Sequence, residues 1–159
     1  MKQAEIAGWL KAITCGIGLM GAAVFFIFVP ALAKELRRSY PEAACLYWPG
    51  LIYDFVIASG CYAILFQFWN ICCQIGQDNS FSRENAAAFK RISRLSVLLA
   101  VIWFTGFLGL VVMRYMQPSL MLFMLSAIFM SFVVAVCAAA LSHLVLKAYE
   151  LRQENELTI

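Results

Sequence analysis

The sequence predicts an all-α integral membrane protein, a four-helix bundle with both ends on one side, and three observations carry that prediction. Of its 159 residues, 64% are hydrophobic and 13% charged, against roughly 25% charged in soluble domains. The apolar residues fall into four runs, residues 13–33, 51–75, 96–116 and 120–146, each long enough for a bilayer crossing of about 20 residues. The charged residues collect between and beyond these runs. A single membrane domain over residues 1–159 is therefore expected, with no soluble domain left over.

Lys2 and Lys11 flank Trp9 in an amphipathic lead-in to the first run. That run exceeds the 7 to 15 residues of a leader's apolar core, so it reads as a span and not as a cleaved signal. Gly18 and Ala22 within it form a small-residue pair suited to close helix approach. Lys34 to Gly50, broken by Pro41, Pro49 and Gly50 and carrying Tyr47 and Trp48, is expected to be an interfacial loop. The second run is the most polar, with Asp54 near its start and Gln67, Asn70 and Gln74 at i, i+3, i+7 towards its end.

Residues 76–95 form the only sizeable polar interruption between two pairs of spans. Ser82 is a natural N-cap, with Glu84 in the first turn to meet the helix dipole. Beyond it Arg83, Lys90, Arg91 and Arg94 fall within about 100° of arc, while Ala88, Phe89, Ile92 and Leu95 lie opposite. An amphipathic hinge helix between the second and third spans follows, suited to an anionic leaflet or a partner. About 20 residues for a connection that usually needs 2 to 8 suggests a use beyond connecting.

In the third span Thr105 and Gly109 form another small pair, and Gln117, Pro118 and Ser119 are expected to turn the chain. Along the fourth, Ala127, Ser131, Ala135 and Ala139 recur every four residues, with His143 at the end of the stripe. Such ridges serve within one bundle or between copies, so a homo-oligomer is one expectation. A polar tail, residues 147–159, completes the chain.

Lys2, Lys11, Arg83, Lys90, Arg91, Arg94, Lys147 and Arg152 fall on one side of the bilayer, against Lys34, Arg37, Arg38 and Arg114 on the other. The excess of basic residues places both termini and the hinge in the cytoplasm. The net charge of +3 is local to helix ends, which suits lipid and gives no footprint for direct nucleic-acid binding.

Nothing resembles a nucleophile with its base, a phosphate-binding glycine loop or a paired-carboxylate site, so no enzyme activity and no cofactor are expected. Six cysteines lack the spacing of a metal or redox pair and read as small apolar fillers. Asp54 is the sharpest intramembrane residue. A structural pair with Arg114 is the first reading, and a cation or proton site is the second. His143 is expected to pack against Asn70 or Gln74, and the three amides to join helices by hydrogen bonds. Glu150, Glu154 and Glu156 of the tail are candidates to contact the basic hinge face.

Two stretches carry a family resemblance. The hinge segment Asn79-Ser80-Phe81-Ser82-Arg83-Glu84-Asn85 with Phe89 to Ile92, and the ending Glu150 to Ile159, resemble the bacterial membrane proteins of domain-of-unknown-function family 2975. The tail carries Glu156 where that family often has Asp. The resemblance implies four spans and supplies no catalytic residues. It also implies a neighbouring helix-turn-helix regulator as partner. The functional expectation is a non-enzymatic regulatory protein that docks this regulator through Arg83, Glu84, Asn85, Lys90, Arg91, Arg94, Glu150, Glu154, Asn155 and Glu156. The alternative is a small transporter, or an accessory subunit of one, using Asp54 and the polar face of the second span.

Overall fold

The computed structural model describes residues 3–39, 41–77 and 79–156. They form α1 (Gln3–Ala23), a π-helical segment (Val24–Phe28), α2 (Val29–Ser39), a 3-10 helix (Pro41–Leu46), α3 (Tyr47–Gly76), α4 (Arg83–Val112) and α5 (Pro118–Glu156). Four helical stretches, Glu5–Ser39, Ala44–Gly76, Arg83–Val112 and Pro118–Asn155, are long and apolar enough to cross a membrane. The shortest has 30 residues, about 45 Å of helix against a hydrocarbon core of about 30 Å. The helices therefore continue well past the apolar runs.

That surplus corrects three expected connections. Lys34–Gly50 is not a loop: α2 continues through Arg38, and α3 begins at Tyr47 with Pro49 in its first turn. Proline is tolerated there because its missing N–H would have no intrahelical acceptor. Pro118 likewise opens α5, so the turn before it is Met113–Gln117, with Arg114 at φ 59°. The hinge helix is not a separate element, since Arg83 to Val112 is one unbroken helix. What remains of the connection is residues 77–82, an ordinary length that removes the argument from excess.

The π-helical segment has a local cause. Pro30 offers no N–H to the carbonyl of Phe26, four residues earlier, and its ring crowds that carbonyl. Widening the turns at Val24–Phe28 relieves the conflict without ending the helix.

Packing is sequential. α1 lies against α3, α3 against α4 and α4 against α5, the last pair in the most extensive contact. Ile71 of α3, Ala88 and Ile92 of α4 and Ala138 of α5 form the core, with Ile64, Phe68, Ile75 and Phe89 around it. Among the described residues α1 makes no close backbone approach to α4 or α5, and α3 makes none to α5, so the helices of the expected four-helix bundle lie in sequence, with α1 and α5 on its flanks. Ala7 and Thr14 are the buried positions of α1, and Gly18 and Gly21 continue their stripe. One narrow face of that kind can meet only one neighbour. The many exposed leucines, phenylalanines and valines on the remaining surfaces are what lipid-facing helices require.

Tyrosines and glycines set the register. Tyr62 Oη donates to the Gly18 carbonyl at 2.7 Å, and Tyr53 Oη donates to the Ile102 carbonyl at 2.7 Å. A Cβ at Gly106 would run into the Tyr53 ring, and one at Gly60 would lie 2.6 Å from Leu99. The close approach on α4 is thus Gly106, not the expected pair: Thr105 is exposed and Gly109 has nothing near it. On α5 the inward positions are Met124, Ser131, Ala135, Ala138, Ser142 and Val145, whereas Ala139 and His143 face out. Strict four-residue steps drift about 40° each around a helix, so only alternating threes and fours stay on one packed face.

Candidate functional site

One end of the molecule gathers the polar features. Antiparallel packing brings the start of α1, the end of α3, the start of α4 and the end of α5 together, with Ala7 beside Gly76 and Ser142 Oγ donating to the Ala86 carbonyl at 2.7 Å. Lys11 lies 5.9 Å from the Trp69 ring centroid there, within cation–π range.

The connection from α3 to α4 is locked by its own side chains. Ser82, with extended backbone, accepts a hydrogen bond at its Oγ from the Asn85 N–H at 3.1 Å, capping α4. Asn85 is 1% exposed, and its Nδ2 donates to the carbonyls of Asn79 at 3.1 Å and Ser80 at 3.0 Å. Asn79 Nδ2 in turn donates to Gln74 Oε1 at 2.9 Å. Asn85 was expected on a partner-binding surface. The structure makes it an internal clamp instead, because at the third helical position its amide can reach back to the loop carbonyls.

Between α3 and α4 at this end lies an open cleft of about 280 Å³. From α3 it is lined by Gln67, Asn70, Cys73 and Gln74, from the turn after it by Gln77, and from α4 by Glu84, Asn85, Ala88 and Arg91. The α3 residues form a stripe separate from the core stripe of Ile64, Phe68 and Ile71. The expected amide face therefore lines a cleft more than it joins helices: among the described residues, the side-chain hydrogen bond made by Gln67, Asn70 and Gln74 is the loop contact to Gln74.

Arg83, Lys90 and Arg94 lie on an adjoining face of α4, exposed like Arg91 and Glu84. The register that sets Ser142 against Ala86 carries α5 past the start of α4 by roughly 11 residues, about 16 Å. Glu150, Glu154 and Asn155 are exposed on this extension, and Arg152 and Glu154 engage other groups. The expected contact between Glu150 and the basic face is not formed, because the acidic residue stands beyond the level of Lys90, Arg91 and Arg94. The Glu156 side chain, Lys2, and Leu157, Thr158 and Ile159 of the terminal motif lie outside the described residues.

Asp54 sits towards the opposite end, 9% exposed, with Oδ2 lacking a hydrogen-bond partner. Its expected pair with Arg114 does not form. The register that opposes Tyr53 to Gly106 puts Asp54 level with Thr105, and Arg114 lies about 13 Å further along, exposed in its turn. Asp54 is also about 20 Å along α3 from Gln67, on another flank. His143 is level with Gln74 but turned outward and exposed, so it packs against neither Gln74 nor Asn70. Among the described residues no cluster of His, Cys, Asp and Glu could hold a metal, and all six cysteines are free.

The likeness to other proteins extends over most of the chain. The profile of a protein family of unknown function, DUF2975, matches residues 31–159, taking in both the Phe81–Asn85 motif and the tail. The chain belongs to the DUF2975 family. A relative in Bacillus subtilis (strain 168), described as the uncharacterized membrane protein YoaS, is 28% identical over 153 residues, covering 95% of this chain and 96% of that protein. No solved structure matches. Membership in DUF2975 together with four membrane-length helices makes this a multi-pass membrane protein. Within the matched span, residues 81–85 hold the cap and clamp of α4: Ser82 and Asn85 hold the loop, and Glu84 is left to line the cleft.

Proposed function

We propose that the protein is a non-enzymatic regulatory component of a bacterial inner membrane, with both termini and the 77–82 connection in the cytoplasm, where it docks a helix-turn-helix regulator. The observation that carries this reading is the helical extension of α5 beyond α4, an exposed and polar lever projecting from the end of the molecule at which α4 presents the exposed Arg83, Lys90 and Arg94. A span needs no such extension, whereas a docking surface does. The excess of basic residues at this end supports its cytoplasmic placement. A shift between α4 and α5 would move the extension relative to the basic face and so change the affinity for the partner.

Deleting Ala148 to Ile159 and neutralising Arg83, Lys90 and Arg94 is expected to release the neighbouring regulator from membranes, read as its fraction in the membrane pellet. An unchanged fraction, with the variant present at normal level, would end this reading. The transporter alternative draws on the amide-lined cleft and on the unpaired Asp54. It is the weaker reading, because the two are about 20 Å apart along α3 on different flanks.

A further inference from the structure

We propose that the α3–α4 cleft binds the headgroup of a phospholipid that carries a primary ammonium and a phosphate, phosphatidylethanolamine being the simplest. Its volume of about 280 Å³ lies just under the range of roughly 300–1,000 Å³ typical of small-molecule pockets, a size for a headgroup more than for a large ligand. The proposal stands apart from the docking reading, since Arg83, Lys90 and Arg94 lie on a different face of α4. It also does not require knowing which leaflet this end occupies.

Three observations point to this ligand. First, the cleft holds both signs of charge in a defined order. Glu84 is at the outer end of α4 and Arg91 is seven residues further in, about 10 Å deeper, with the buried Ala88 between them as floor. A lipid in a bilayer presents its ammonium outermost and its phosphate beneath, so the carboxylate meets the ammonium and the guanidinium meets the phosphate. Second, the amides opposite them on α3 offer donors and acceptors over the same depth. They would be costly groups to leave facing hydrocarbon. Third, the same flanks turn apolar immediately below: Leu95 and Leu98 follow Arg91 on α4, and Ala63 and Phe66 precede Gln67 on α3, Leu98 being 56% and Phe66 64% exposed. This is the path the acyl chains would take. A soluble zwitterion would have no use for it, and an anionic lipid without an ammonium would meet Glu84 as a repulsive group.

The test uses the full-length protein in detergent, with lipid binding read by native mass spectrometry. The probes are phosphatidylethanolamine, phosphatidylcholine, phosphatidylglycerol and free O-phosphoethanolamine. Phosphatidylethanolamine is expected to bind about tenfold more tightly than phosphatidylglycerol, the scale of one charge-assisted hydrogen bond. Phosphatidylcholine, whose ammonium has no N–H to donate, is expected to be weaker, and the free headgroup is expected not to bind detectably. Glu84→Gln should bring phosphatidylethanolamine down to the phosphatidylglycerol level and leave phosphatidylglycerol undiminished. Arg91→Gln should weaken both. The double exchange Glu84→Arg with Arg91→Glu keeps the net charge and the exposed positions, and is expected to lose the preference because the order of charges is inverted. Equal or tighter binding of phosphatidylglycerol by the wild type, binding of the free headgroup as tight as that of the lipid, or a double exchange that binds like the wild type would each overturn the proposal.

Discussion

Replacing Asn85 with alanine is expected to destabilise the protein by about 2–3 kcal/mol. The side chain is 1% exposed and serves two loop carbonyls at once, while its backbone N–H receives the Ser82 cap. Truncation leaves those carbonyls facing a buried gap and frees residues 79–82 from the start of α4. Thermal unfolding in detergent should show the loss, and amide hydrogen exchange should show it concentrated over residues 79–86. Ser82→Ala removes only the cap and is expected to cost less, about 1 kcal/mol. An Asn85→Ala protein that melts like the wild type would mean that the clamp contributes nothing.

Replacing Asp54 with leucine should act in the opposite direction, raising stability by about 2 kcal/mol. A carboxylate in a span costs about 2.5–3.5 kcal/mol at its centre and less towards its ends, and Asp54 has a buried oxygen that no neighbour satisfies. Leucine is similar in size and removes the orphaned group. Reversible unfolding in mixed micelles reads the difference. A loss of stability would instead show that Asp54 is satisfied by a group it captures in the working protein, which would strengthen the transporter alternative.

The spans were legible because lipid demands continuous apolar runs, and nothing in a soluble fold imitates four of them in 159 residues. The helix ends were not, since a helix leaving the hydrocarbon keeps its backbone bonds and only its side chains change: Arg37 and Pro49 read as connection and lie in helices, and Lys90 reads as part of a separate hinge helix and lies in the third span's own helix. Small residues misled at single-residue precision. Thr105 and Gly109 have the familiar spacing, yet Gly106 receives the tyrosine, because which face of α4 meets α3 depends on a register the composition does not encode. The same missing register hid the mismatch between Asp54 and Arg114 and the outward turn of His143. Half of the cleft was visible as the stripe of Gln67, Asn70 and Gln74. Of the other half, Arg91 reads as part of the basic face and Glu84 as a partner of the helix dipole, and only the packing of α3 on α4 sets them in the cleft.

The measurement that bears most directly on the whole account is cysteine accessibility in intact cells, in a background with the six native cysteines replaced. Single cysteines at the exposed Phe81, at the exposed Gln153 and at the exposed position of native Cys45 would be treated with a membrane-impermeant maleimide before and after permeabilisation. Positions 81 and 153 should be protected until the membrane is opened, and position 45 should label at once. Labelling of 81 and 153 on opposite faces would contradict the antiparallel four-span arrangement, and labelling of both from outside would remove the cytoplasmic docking end.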